Sequence, residues 1–243
     1  MPPDEYTPKS LPVSTVDVPV HPLSNLKPII GAERYEHLGQ AAVRASQQLR
    51  GRTVWNLSST AAGGGVAEML QVLVGYILGA DVDIRWLVIS GDPEFFAITK
   101  RIHNRLHGAA GDGGDLGPNE AAHYTSITAA NAASVIGRIR PGDVVLLHDP
   151  QTAGMAAPIA ATGARVVWRC HVGRDRTNEQ TDEAWSFLRP HLVACHGYVF
   201  SLASYVPPWI DEAKAWIIPP SIDPFSPKNQ LLGYEDVVRT LRR

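Results

Sequence analysis

Short apolar segments and amphipathic ones take turns along this chain, and that rhythm admits few folds. Residues 53–57, 83–89, 143–147, 165–170, 198–201 and 215–218 are brief and nearly continuously apolar, as strands buried on both faces are. Helical periodicity fills the gaps. Tyr35, Leu38, Ala42, Ala45 and Leu49 recur at three- and four-residue steps over 32–49, and Gly51 follows where a helix C-cap favours glycine. Val66, Met69, Leu70, Leu73, Val74 and Ile77 make a second apolar face. Asp92-Pro93-Glu94 opens a third helix with an acidic first turn, and Phe95, Ile98, Ile102 and Leu106 line it. Further helices are expected at 129–139, 151–162 and 179–188. Strands that alternate with helices predict an α/β fold, a Rossmann-like open parallel sheet with helices on both faces. Residues 1–28 carry seven prolines and read as an extended lead-in, and the glycine-rich stretch 108–118 reads as a mobile loop or insertion tip.

Charge and size narrow the function classes. With 22 Lys+Arg against 24 Asp+Glu the net charge is 22 − 24 = −2, which removes the main driver for binding nucleic acid or an anionic membrane. No run approaches the roughly 18 apolar residues that span a bilayer. The first residues lack the apolar stretch of a secretory signal, so a cytoplasmic location is expected. Two cysteines, Cys170 and Cys195, make at most one bridge.

In open parallel sheets ligands bind beyond the carboxyl ends of the strands, so the polar strand ends are the places to search. The first strand runs into Asn56, Ser58, Ser59, Thr60 and the triplet Gly63-Gly64-Gly65. Glycines at a helix start let backbone N–H groups approach a phosphate; equally, they permit a tight helix–strand contact. Neither a Walker loop nor a dinucleotide fingerprint is present, which excludes a nicotinamide dehydrogenase. The strand ending at Leu147 runs into His148-Asp149-Pro150-Gln151. His148 and Asp149 suit a sugar-hydroxyl contact or an acid/base pair; a helix N-cap aspartate is the plainer alternative. His171, after the next strand, either donates to a ligand oxygen or is a buried structural histidine. Cys170-His171 and Cys195-His196 lack zinc spacing, Asp81-Val-Asp83 precedes its strand, and no metal site is expected.

These segments resemble a known family. Trp55-Asn-Leu-Ser-Ser-Thr-Ala-Ala-Gly-Gly-Gly-Val-Ala-Glu-Met-Leu70, Gly91-Asp-Pro-Glu-Phe-Phe96 and His103-Asn104 are similar to the trehalose glycosyltransferring synthases. His148-Asp-Pro-Gln151, Trp168-Arg-Cys-His171, Trp185-Ser-Phe-Leu188 and Ile218-Pro-Pro-Ser-Ile-Asp-Pro-Phe-Ser-Pro-Lys-Asn229 follow in the family's order. Leu57-Ser58 departs from it, since Ile or Leu followed by Asn is expected there. The resemblance implies the N-terminal half of a retaining, metal-free GT-B glycosyltransferase, needing no cofactor. It joins glucose from a nucleoside-diphosphate glucose to free glucose, giving α,α-trehalose.

By the same resemblance, residues 29–229 form a Rossmann-like acceptor-binding domain and 230–243 a tail or the start of a linker. Only 14 residues follow Asn229, so the chain is expected to lack the donor-binding half and to be inactive alone, with a C-terminal half or a second copy as partner. The implied roles are explicit. Gly63, Gly64 and Gly65 stabilise the leaving diphosphate, His171 contacts the donor glucose, and Asp149 with His148 and Gln151 holds acceptor hydroxyls. Arg174 and Asn178 stand at the cleft rim, and Glu68 makes a structural hydrogen bond. A non-catalytic sugar- or partner-binding module that docks on a separate catalytic subunit is the alternative.

Overall fold

The computed structural model describes residues 11–226, 229 and 233–241. Residues 1–10 of the expected lead-in, and 227–228, 230–232 and 242–243 of the closing motif and tail, lie outside the described residues. Among the described residues seven strands form one sheet, ordered β1-β3-β2-β4-β5-β6-β7. They are β1 (Ser14–Val16), β2 (Val54–Ser58), β3 (Ile84–Val88), β4 (Val144–His148), β5 (Arg165–Cys170), β6 (Gly197–Phe200) and β7 (Ala215–Ile217). All neighbours pair in parallel except β1, which runs antiparallel to β3 with Ser14 opposite Val88. The expected α/β sheet is present, with one correction. The stretch read as a lead-in supplies an edge strand, a three-residue run between Pro12 and Pro19 too short to show periodicity. Prolines are tolerated beside an edge strand because only one side of it is paired.

The helices are α1 (Lys27–Ile30), α2 (Ala32–Gln48), α3 (Gly65–Leu78), α4 (Pro93–Leu106), α5 (Pro118–Val135), α6 (Ala156–Ala160), α7 (Glu179–Leu192) and α8 (Tyr234–Leu241). They cover both faces, as strict alternation along the strands requires. Val54, Ile84 and the fully buried Trp86 pack with Ala67, Leu70 and Val74 of α3 on one face. Trp55, Leu57, Leu87, Leu147 and Trp168 pack with α4, α5 and α7 on the other. Side chains of this size contribute about 1.5–3 kcal/mol each when fully buried. Asp143 pins the amino ends of the strands. Its carboxylate accepts from the Thr53 N–H (2.9 Å), the Trp55 indole (3.1 Å) and the Arg140 N–H (3.0 Å).

Three expectations need correction. The helix expected at 129–139 begins at Pro118, because the Ala/Ser/Thr-rich first half of α5 has too little apolar contrast to show a period. The helix expected over 151–162 is broken into a turn, a 3₁₀ turn (Ala153–Met155) and the short α6. Gly154 there lies so close to α5 that a Cβ would stand 2.3 Å from the Thr128 hydroxyl. The loop 108–118 is fastened to α4. Arg101 grips the Asp112 carboxylate at 2.6 and 3.0 Å, and Arg105 donates to the Gly114 carbonyl at 2.6 Å.

Strand order fixes where a ligand can enter. β3 lies on one side of β2 and β4 on the other, so the connections from β2 and β4 leave in opposite directions. That divergence opens a crevice at the carboxyl ends of these strands.

Candidate functional site

A cleft of about 1130 Å³ occupies that crevice. Gly65 and Val66 reach it from the end of β2, Asp149 from β4, His171 from β5 and Ser201 from β6. Residues 220–224, with Tyr76 of α3 and His103 of α4, close the sides.

Asp149 is held in an unusual conformation. Its φ of +63° is left-handed, a costly state for a residue with a Cβ, and the surroundings fix it from several directions. Its N–H donates to the Arg169 carbonyl (2.9 Å), its carbonyl accepts from the Trp168 indole (3.0 Å), and its Oδ1 accepts from the His171 N–H (2.8 Å). The helix-cap alternative therefore fails, because that carboxylate binds the next strand's exit and not the start of a helix. Burial pushes the Asp149 carboxyl up to about 7, against the opposing pull of the His171 N–H and the Arg169 charge. Near neutral pH it can accept a proton or release one, which is what acid/base work requires.

The two histidines are uncharged at that pH. Burial, then the Arg169 charge, lowers His171 to about 3, and burial, with His171 and Arg169, drives His148 well below its ordinary value. Their rings stack, with centroids 5.4 Å apart and planes 15° from parallel. His148 Nδ1 lies 3.1 Å from His171 Nε2, and His148 Nε2 lies 3.0 Å from Asn56 Oδ1. Alternation explains the meeting: Asn56 and His148 both point to the α3 face of the sheet, in register with Leu146 and Arg169 on neighbouring strands.

The glycine triplet divides. Gly63 and Gly64 have φ of +74° and +108°, which only glycine adopts freely, and Gly64 is the N-cap of α3. A Cβ on any of the three would meet nothing within 4 Å, so tight helix–strand contact is not why they are glycine. No side chain caps this end of α3, which leaves backbone N–H groups and a helix dipole facing open space. Of the three, Gly65 lines the cleft.

Other site expectations are corrected. His148 is 2% exposed, between Asn56 and His171, and its burial keeps it from a substrate hydroxyl. Gln151 sits in the turn after Asp149 and does not line the cleft. Arg174 leaves the rim and folds over the Gly108 turn in a separate cavity of about 240 Å³. Asn178 caps α7, its Oδ1 accepting from the Thr181 N–H (3.1 Å) and its Nδ2 donating to the Gly108 carbonyl (3.0 Å). Glu68, expected to make a structural hydrogen bond, also lines the cleft one turn into α3. Both thiols are buried, and burial raises Cys170 strongly and Cys195 to about 12, which keeps them protonated. Among the described residues no group of three metal-ligating side chains is gathered, and no helix is long and apolar enough to cross a membrane.

In the sequence Asn56 is only a polar strand end, and its partnership with His148 is a finding of the fold. The available signal was an amide in the middle of an otherwise buried strand. His103, whose ring burial lowers to about 4, stands in the sequence only as part of a family segment with no role given, and it lines the cleft from α4.

The comparisons with known proteins agree with one another. A family model described as "Trehalose synthase, N-terminal domain" matches residues 56–207. A trehalose synthase from Pyrococcus horikoshii is 36% identical over 221 residues, 91% of this chain and 50% of that protein. One from Rubrobacter xylanophilus is 33% identical, over 88% of this chain and 50% of that one. A trehalose phosphorylase from Pleurotus sajor-caju is 32% identical over 60% of this chain and 20% of its own length. This chain thus spans about half the length of the trehalose synthases it matches.

Proposed function

Because the chain belongs to the trehalose synthase N-terminal domain family, we propose that its cleft is the acceptor wall of a glucose-transferring site. The other wall, which holds the nucleotide, comes from a partner half or from sequence beyond these 243 residues. The convergence of Asp149, His171 and the open start of α3 in one cleft at the sheet's switch point carries this reading.

The chemistry follows from the positions. Glucose leaves a nucleoside-diphosphate glucose as its anomeric C–O bond to phosphate breaks, and a new bond forms from that carbon to a hydroxyl oxygen of a second glucose. The hydroxyl proton passes to the departing diphosphate. The start of α3 stabilises the charge growing on that phosphate, an effect strongest once the second wall excludes water. Asp149 holds and orients an acceptor hydroxyl, and His171 contacts the donor sugar. This reading gives the phosphate charge to backbone amides and to no metal, so a chelator leaves the rate unchanged. One wall cannot orient donor against acceptor, so the 243 residues alone bind sugar without joining it.

The test is complementation. The chain is co-expressed with the remaining half of the Pyrococcus horikoshii protein, and trehalose formation from glucose and a nucleotide sugar is measured. His171→Ala and Asp149→Ala are each expected to lower the rate at least 100-fold. A rate within about threefold of the parent, roughly 0.7 kcal/mol of barrier, removes that residue from the mechanism.

A further inference from the structure

We propose that Asn56, acting through His148, fixes the tautomer of His171, so that His171 offers the cleft a hydrogen-bond acceptor. Asn56 is thus a positioning residue, and the proposal deepens the sugar-binding reading by naming the polarity of one contact. Donors and acceptors link the three side chains in series. Asn56 presents its carbonyl oxygen, which can only accept, 3.0 Å from His148 Nε2. His148 must therefore carry its proton on Nε2. Its burial keeps the ring neutral, so Nδ1 is a bare lone pair. That lone pair lies 3.1 Å from His171 Nε2, which must then be the protonated nitrogen of the second ring. His171 is neutral as well, leaving its Nδ1 bare.

A bare nitrogen selects its partner. It accepts from a sugar hydroxyl and is repelled by a phosphate or carboxylate oxygen, which has no proton to give. The sequence admitted a His171 that donates; the structure reverses that polarity. Asn56 and His148 are buried, 3% and 2% exposed, so the first link of the chain is shielded from solvent, while His171 reaches the cleft.

The experiment is ¹⁵N correlation spectroscopy of the histidine rings in the 243-residue chain without ligand. In the parent, His148 and His171 are both expected as the Nε2–H tautomer with a bare Nδ1. Asn56→Asp keeps an acceptor at the same place and is expected to keep both tautomers. Asn56→Leu strands a buried His148 Nε2–H, so the proton is expected to move to His148 Nδ1 and bond to His171 Nε2, leaving His171 as Nδ1–H. A parent His171 with Nδ1–H overturns the proposal, as does an Asn56→Leu chain that folds with unchanged tautomers. If Asn56→Leu does not fold, the parent and Asn56→Asp spectra still decide. No sugar is present in this measurement, so its failure and the failure of the sugar-binding reading are separate results.

Discussion

Asp149 concentrates the site's electrostatic tension in a single side chain. Its native pKa of about 7 lies above the ordinary carboxylate value, so the folded state holds a proton that the unfolded chain releases at lower pH. Stability from this group is complete below the unfolded pKa and is lost as pH rises toward 7, at a cost of about 2–4 kcal/mol above that. Asp149→Asn retains an oxygen for the His171 N–H and tolerates the left-handed φ, so it is expected to raise stability at pH 8 by part of that amount. Urea unfolding at pH 8 and pH 5 checks this, since the gain is expected to shrink at the lower pH. Asp143 behaves oppositely. Burial pushes its carboxyl up, but the N–H groups of Arg140, Thr53 and Trp55 outweigh that and set it below the ordinary value. Its stabilisation is present above the unfolded pKa and disappears as pH falls through the native one. Asp143→Ala leaves buried donors unpaired and is expected to cost about 3 kcal/mol in the same assay. Asp149 and His171 were legible in the sequence because each is a polar residue following an apolar strand. Asn56 and the fate of Arg174 were not, because the pairings that decide them join strands and loops 92 and 66 positions apart.

At the level of elements, the start of α3 separates backbone geometry from ligand contact. Gly64→Ala forces a Cβ into a left-handed backbone, and thermal unfolding is expected to show a loss of about 1–2 kcal/mol. Gly65 has neither a positive φ nor a near neighbour, so Gly65→Ala is expected to leave stability within about 1 kcal/mol of the parent. The same substitution places a methyl over the helix start, and a pyrophosphate titration is expected to show weaker binding. Strong periodicity made α2, α3 and α4 legible. α5 was half-hidden because its fit against Gly154 depends on small side chains, which carry no hydrophobic rhythm. β1 was hidden because an edge strand is defined by its partner β3, 70 residues away, and not by its own sequence.

Over the whole molecule, the parallel sheet turns scattered polar residues into one wall, and the switch between β2 and β4 decides where that wall stands. Burial also gives it a signature in acid. His103, lowered to about 4, His171, lowered to about 3, and His148, held well below its ordinary value by burial, resist protons that the unfolded chain accepts below its ordinary histidine pKa. Their stabilisation is complete above that pKa and is lost as pH falls through the window beneath it, at about 2 kcal/mol by pH 5 for the deeply buried His171 and less for the partly exposed His103. Together they exceed the opposing gain from Asp149, so the urea midpoint is expected to fall between pH 7 and pH 5. The central claim, that this wall binds sugar, is tested most directly by titrating the ¹⁵N-labelled chain with glucose and following its backbone amides. The account predicts saturable shifts at Gly64–Val66 and at His171 and Val172, abolished by Asp149→Ala. Saturable shifts confined to another surface, or the same shifts in Asp149→Ala, would contradict it.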